Sequence, residues 1–372
     1  MHDVTPRQSD CPTLGGLLAG RQNNLNALRM IAASAVLVSH AYPIALGAGT
    51  PEPLEQLTGL TLGDHAVAVF FILSGLLIAR SYDRGNGLLR FVLSRAARLY
   101  PALIVVVVLT VLAGAFFTTL PLAQYLTAPA TLSYIPRNLS LAFLQYPLPG
   151  VFETNPLPRS INGSLWTLFY EVACYGGVVI CGLLGLLRRP LVFSAAFVVL
   201  ALAFVLGGAF EPFGGPLYIA KRMLTLAFPF ALGMLAYVWR DRLKLDFRLA
   251  AGLWVVPVLA HGTVLQAAAI TLAMAYTVLW LGFVPRGALL AYNRLGDYSY
   301  GTYLYAFPEQ QAMAQTFPGG TPLANILLAF PVTLVFAMLS WHLVEERALA
   351  RVRSRAVSPQ PAPTPSPRTD HP

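Results

Sequence analysis

The chain has 372 residues, of which 56% are hydrophobic and only 11% charged, and it carries a formal net charge of +9. Its mean hydropathy of +0.62 and runs without any polar face, such as LIVVVVLTVLAGAFF at 103–117, exclude a water-soluble α/β protein and leave an all-α, polytopic membrane protein. The basic residues are placed by loop rather than clustered on one face, so the charge does not imply a nucleic-acid partner.

Residues 1–24 hold charge, Pro and Gly but no apolar core with a small-residue cleavage site, so no signal peptide is expected there and the segment reads as a cytoplasmic N-terminus. A helix rising 1.5 Å per residue needs about 20 apolar residues to cross a bilayer core of ~30 Å. Such windows fall near 28–46, 65–82, 99–118, 164–187, 191–210, 218–239, 248–263, 264–284, 297–316 and 322–344. This predicts a bundle of about ten transmembrane helices within a membrane domain at 25–350. Residues 122–145 read as an interfacial or re-entrant piece. The last segment, 351–372, is Pro-rich and is expected to be a disordered cytoplasmic tail. Cys11, Cys174 and Cys181 have no metal-ligand spacing and no metal is implied.

Basic residues alternate with loop number. Arg21 and Arg29 precede the first span, Arg80 to Arg98 fill the second loop, and further pairs and clusters fill the other even loops, whereas the odd loops hold only Arg137 and Arg159. The positive-inside rule then places both termini in the cytoplasm.

A charged side chain deep in a bilayer costs ~2.5–3.5 kcal/mol on insertion scales, so the few present point to a site. On the first span Arg29 and His40 are eleven residues apart, almost three turns, on one helix face but at opposite depths. Glu171, on a span entering from outside, is expected at the depth of His40, where it would orient and charge the imidazole. The plainer alternatives are a snorkelling arginine, a packed histidine, and a Glu171 spent on a structural arginine or tyrosine. Arg95 and Arg98, at i and i+3 on the inner side, can clamp phosphates or meet anionic lipid head groups.

Six blocks then appear in order: Arg29 followed after ten residues by His40; VAVFFILSGLLIA (67–79); SRAARLYP (94–101); NGSLWTLFYEVACY (162–175); LGDYSYGTYLYAFP (295–308); and SWHLVEERAL (340–349). Together they resemble the acyltransferase-3 family of integral membrane acyltransferases, over almost the whole chain. The resemblance implies a ten-helix bundle in the bacterial inner membrane. Its implied activity moves an acyl group, commonly acetyl, from cytoplasmic acyl-coenzyme A to a hydroxyl of a sugar in an exported or lipid-linked glycan.

It carries the catalytic role onto His40 and Glu171, and coenzyme A binding onto Arg95 and Arg98 with Arg29 along the pantetheine path. Tyr42, Asn162 and Trp166 become candidates to contact the acceptor. Many members have histidine where Ala306 stands, and a substituted role would fall to Glu309 or Gln311. The expected chemistry is direct transfer, with an acyl-histidine intermediate as the less favoured route. The main rival is a transporter of small anions or glycans using His40 and Glu171 as a proton relay, and a non-catalytic assembly scaffold is a third reading. The membrane lipid and a sugar acceptor are the implied partners, and the oligomeric state is left open.

Overall fold

Apolar length decides the architecture. In the computed structural model, which describes residues 11–20, 22–85, 87–208 and 215–354, eight helices are long and apolar enough to cross a membrane. Residues 1–10, Arg21 and the tail from 355 onward, all named in the sequence reading, lie outside the described residues. The principal helices are α1 (Leu25–Leu46), α2 (Leu62–Asp83), α3 (Leu88–Phe117), α4 (Trp166–Leu183), α5 (Pro190–Gly208), α6 (Gly215–Val238), α7 (Gln266–Phe283), α8 (Ser299–Thr316), α9 (Pro322–Ser340) and α10 (Glu346–Ser354). Among the described residues there are no strands, only two isolated bridges. The chain is a multi-pass, all-α membrane protein.

Two predicted spans depart from the simple pattern. The one near 248–263 breaks into Phe247–Gly252 and Val255–Leu259, and Pro257 contributes because it has no N–H to bond to the carbonyl of Leu253, four residues back at the break. The one near 297–316 forms α8 but is too polar to count as a spanning helix by composition. It survives because its polar side chains are turned into the bundle: Thr302, Gln310 and Gln311 are fully buried, and the amide nitrogens of Gln310 and Gln311 donate to backbone carbonyls of neighbouring segments. α5 is the opposite case, apolar all round with only 6% of its window buried, as befits a helix facing lipid. The piece at 122–145 folds as two short helices, Leu122–Thr127 and Pro129–Leu139, laid on α3. Buried Tyr125 anchors them by donating its hydroxyl to Val111 O at 2.8 Å.

Five of the principal helices contain an internal proline, and the carbonyl each frees needs another donor. At Pro308 of α8 that carbonyl belongs to Leu304, four residues back, and it accepts from Asn162 Nδ2 at 3.0 Å. Asn162 Oδ1 meanwhile accepts from Ser164 N–H at 3.1 Å, capping the turn that leads into α4.

The α2–α6 pair holds the centre together through backbone contact. A Cβ added at Gly75 would stand 1.9 Å from Phe230 O, and one at Gly233 2.0 Å from Ile72 O. Small residues of this kind let membrane helices approach where no hydrophobic effect pulls them together. Gly75→Val is expected to cost about 3 kcal/mol or more, the upper end of overpacking effects, seen as a lower unfolding temperature in detergent. An unchanged unfolding temperature would show that the two backbones are not in contact.

Candidate functional site

The charged residues of the bundle converge on one cavity of about 500 Å³ lying between α1, α2, α3, α4 and α8. Arg29, Arg95, Arg98, Glu171 and Asp297 all line it. The i, i+3 spacing on α3 does turn Arg95 and Arg98 into the same space, but their surroundings differ. Arg98 is held by two carboxylates, through Nη2 to Asp297 Oδ2 at 2.6 Å and Nη1 to Glu345 Oε2 at 3.5 Å, and it lies over the rings of Tyr300 and Trp341 at 5.6 and 6.0 Å. Arg29 shares Asp297 at 3.6 Å. Arg95 donates from Nε to the neighbouring Ser94 hydroxyl at 3.3 Å, and among the described residues no carboxylate lies within ion-pair distance of it.

Local structure explains how the two acids reach Arg98. Asp297 sits just before α8 and is fixed by the Ser299 hydroxyl, which donates to Oδ1 at 2.5 Å. Glu345 ends a π-helical stretch, Trp341–Glu345, between α9 and α10. The wider turn rotates Glu345 inward, where it is 1% exposed and accepts from Ser340 Oγ at 3.0 Å. Neither Asp297 nor Glu345 was among the residues singled out from the sequence. Both lie inside the quoted blocks, and an acid within each arginine-facing block was the available signal.

Glu171 also lines the cavity, but not beside His40. It accepts from Tyr175 OH at 2.5 Å and from Ser74 Oγ at 3.4 Å. His40 belongs to the opposite level: Ser39, its neighbour, packs on Gly63, where an added Cβ would stand 2.8 Å from Ser39 Oγ. Gly63 and Ser74 are eleven residues apart on α2, which is ~16 Å along a helix axis. The expected His40–Glu171 pair is therefore not formed. The carboxylates at the level of His40 include Glu52, which is buried and accepts from the Ser39 hydroxyl, and Asp64, whose Oδ2 accepts from the Thr61 hydroxyl at 2.7 Å and from the Thr61 N–H at 3.0 Å.

His40 itself is half-buried, edge-on to Phe307 with ring centroids 5.0 Å apart, and its Nδ1 is buried with no hydrogen-bond partner. The face of α1 between Arg29 and His40 offers no open path, since Ala33, Val36 and Leu37 are packed shut. The cavity runs instead along α2, α4 and α8 and ends at Val67, Thr167 and Tyr303. Tyr303 donates to Ser164 O at 2.6 Å and takes the Thr167 hydroxyl at 2.5 Å. Phe307, one turn further along α8, separates this end from His40.

The remaining candidates are placed as follows. Asn162 is spent on Leu304 and the cap of α4. Gln311 is fully buried and pins the 150s loop, donating to Leu157 O and Ser160 O at 2.8 Å each, while Asn155 donates to its Oε1 at 2.7 Å. Both thus hold the fold rather than face open space. Tyr42 and Glu309 are half-buried at the His40 end of their helices. Trp166 is half-buried with the Arg222 guanidinium over its ring at 5.1 Å.

The profile of the acyltransferase-3 family, described as an acyltransferase domain, matches residues 22–342. The chain belongs to the acyltransferase-3 family. Among relatives, an "O-acetyl transferase" of Shigella phage Sf6 is 30% identical over 344 residues, covering 89% of this chain and 97% of that protein. "Nodulation protein 10" of Rhizobium leguminosarum bv. viciae is 28% identical over 367 residues, covering 89% of this chain and 94% of the relative. No solved structure matches the chain. This acyltransferase is accordingly an enzyme of O-acyl transfer, and that decides against the transporter and scaffold readings. Each of the six blocks that resemble the acyltransferase-3 family puts at least one side chain into the cavity: Arg29, Ser74, Arg95, Glu171, Asp297 and Trp341 in chain order.

Proposed function

We propose that this acyltransferase moves an acetyl group from acetyl-coenzyme A in the cytoplasm to a sugar hydroxyl presented at the far face of the bacterial cytoplasmic membrane, with both termini cytoplasmic. The observation that carries the reading is the cavity itself. It starts among arginines at the basic ends of the helices and rises between them to Tyr303, one turn short of the Phe307 that packs His40.

A long donor with a phosphorylated head and a thin neutral arm fits that shape. Arg95, which has no carboxylate on it, is the cation available to phosphate, and Arg29, on α1, lines the same cavity. Glu171 has its Oε1 filled by Tyr175 and Ser74, which leaves Oε2 to accept from an amide N–H of the pantetheine arm. With Tyr303 and Phe307 swung aside, the thioester reaches the level of His40. There the unpaired imidazole accepts the proton of the acceptor hydroxyl as its oxygen attacks the thioester carbonyl. The carbon–sulfur bond breaks, the thiolate leaves with the proton returned by His40, and the acetyl ester remains on the sugar.

The test uses the full chain in proteoliposomes with labelled acetyl-coenzyme A and a lipid-linked oligosaccharide. Wild type is expected to release free coenzyme A in step with ester formation on the sugar, followed by mass spectrometry. Arg95→Ala is expected to raise KM for acetyl-coenzyme A about 10- to 100-fold, the worth of a charge-assisted contact. Wild-type protein that neither binds nor consumes acetyl-coenzyme A would overturn the donor assignment.

A further inference from the structure

The cavity below Tyr303 is open at its basic end. At Ser94, Arg95 and Val352 it meets a second chamber of about 510 Å³, walled by the turn between α2 and α3 and by the end of α4 with the turn that follows it. The six blocks reach this chamber only through Ser94 and Arg95.

Its chemistry is different from that of the space within the bundle. Arg90 and Arg188 stand at the chamber with Arg95 at the junction. Arg188 is 80% exposed and is steadied by Asp83, with Nε to Oδ1 at 3.4 Å, while Tyr237 OH donates to the other oxygen of Asp83 at 2.7 Å. The chamber also has an apolar and aromatic lining: Leu88, Leu187, and the edge-to-face pair Tyr82 and Phe91, centroids 5.6 Å apart. Gly182 presses on the Tyr82 ring so closely that an added Cβ would lie 1.9 Å from it, which fixes the ring as a wall.

We propose that this chamber binds the nucleotide end of the donor, the adenosine 3′,5′-bisphosphate portion of coenzyme A. Arg95 takes the pyrophosphate at the junction, Arg90 and Arg188 take the 3′-phosphate, and the base lies on the Tyr82–Phe91 pair. The inference rests on acetyl-coenzyme A being the donor. Two joined chambers, each within the size of small-ligand pockets, match a molecule made of a bulky polyanion and a slender neutral arm. The chamber at the helix ends takes the first and the cavity between the helices the second. The phosphate of an anionic lipid offers the same charge to the arginines but has no base for the aromatic pair.

Binding to the purified full-length chain in nanodiscs of zwitterionic lipid separates these cases. Wild type is expected to prefer acetyl-coenzyme A over its 3′-dephospho form by about tenfold, and adenosine 3′,5′-bisphosphate is expected to displace acetyl-coenzyme A. The Arg90→Ala/Arg188→Ala double variant is expected to lose both the preference and the displacement. Both arginines lie at exposed positions, and an unchanged unfolding temperature of the double variant confirms that the loss is one of recognition. A double variant that keeps the preference and the displacement overturns the nucleotide site while leaving the donor assignment standing. Displacement abolished by adding anionic phosphatidylglycerol to the nanodiscs overturns it in favour of a head-group site. Wild type that binds the bisphosphate but not acetyl-coenzyme A overturns the donor reading underneath it.

Discussion

Replacing His40 with alanine is expected to slow acetyl transfer by about 10²- to 10⁴-fold, the range that a positioned general base supplies, while the affinity for acetyl-coenzyme A stays within about twofold. The separation follows from placement. His40 lies outside the donor cavity, beyond Phe307, and makes no hydrogen bond through Nδ1, so removing it disturbs neither the arginines nor a network that holds the bundle. Glu171→Gln is expected to behave the other way, raising KM for the donor with little change in kcat, because the carboxylate faces the cavity ~16 Å of helix away from the imidazole. Steady-state kinetics on both variants in proteoliposomes distinguishes the two. Equal losses of kcat in His40→Ala and Glu171→Gln would restore the coupled pair that the sequence suggested, and full activity in His40→Ala would move the chemistry elsewhere.

The helices were legible because apolar length is a one-dimensional property. Even α8, too polar to count among the spanning helices by composition, lies where the window at 297–316 was expected. What the sequence could not supply was depth and register between helices. Counting residues from the ends of two spans put Glu171 level with His40, but α4 begins with a capped turn at Asn162–Ser164, and the carboxylate leans on Ser74 rather than on α1. Asn162 and Gln311 were misread for a related reason. A buried amide looks the same in sequence whether it waits for a sugar or, as for Asn162, satisfies the carbonyl left free by Pro308 or, as for Gln311, the loop carbonyls of Leu157 and Ser160, and only the three-dimensional partner tells them apart. The arginine pair was placed correctly on one face of α3. Its division of labour depended on Asp297 and Glu345, 199 and 247 residues away in the chain.

That division gives the second large effect. Arg98→Ala leaves Asp297 and Glu345, whose side chains are 9% and 2% exposed, with one guanidinium fewer between them. Removing one partner of a buried ion pair costs about 3–5 kcal/mol, so the variant is expected to show a sharply lower unfolding temperature and little folded protein. Arg95→Ala strands no carboxylate and is expected to unfold near the wild-type temperature while binding donor poorly. Replacing Arg98 together with its second acid, Arg98→Met with Glu345→Gln, is expected to recover most of the stability, since Asp297 keeps Arg29 as its partner and neither new side chain carries an uncompensated charge. Thermal unfolding in detergent, read beside acetyl-coenzyme A affinity, tests all three. If Arg95→Ala and Arg98→Ala lose stability and donor affinity in the same proportion, the two arginines are an equivalent phosphate clamp. If Arg98→Ala alone collapses and the Arg98→Met/Glu345→Gln variant recovers, Arg98 is the post that ties α3 to α8 and α9, and Arg95 is the side chain it leaves free for the donor.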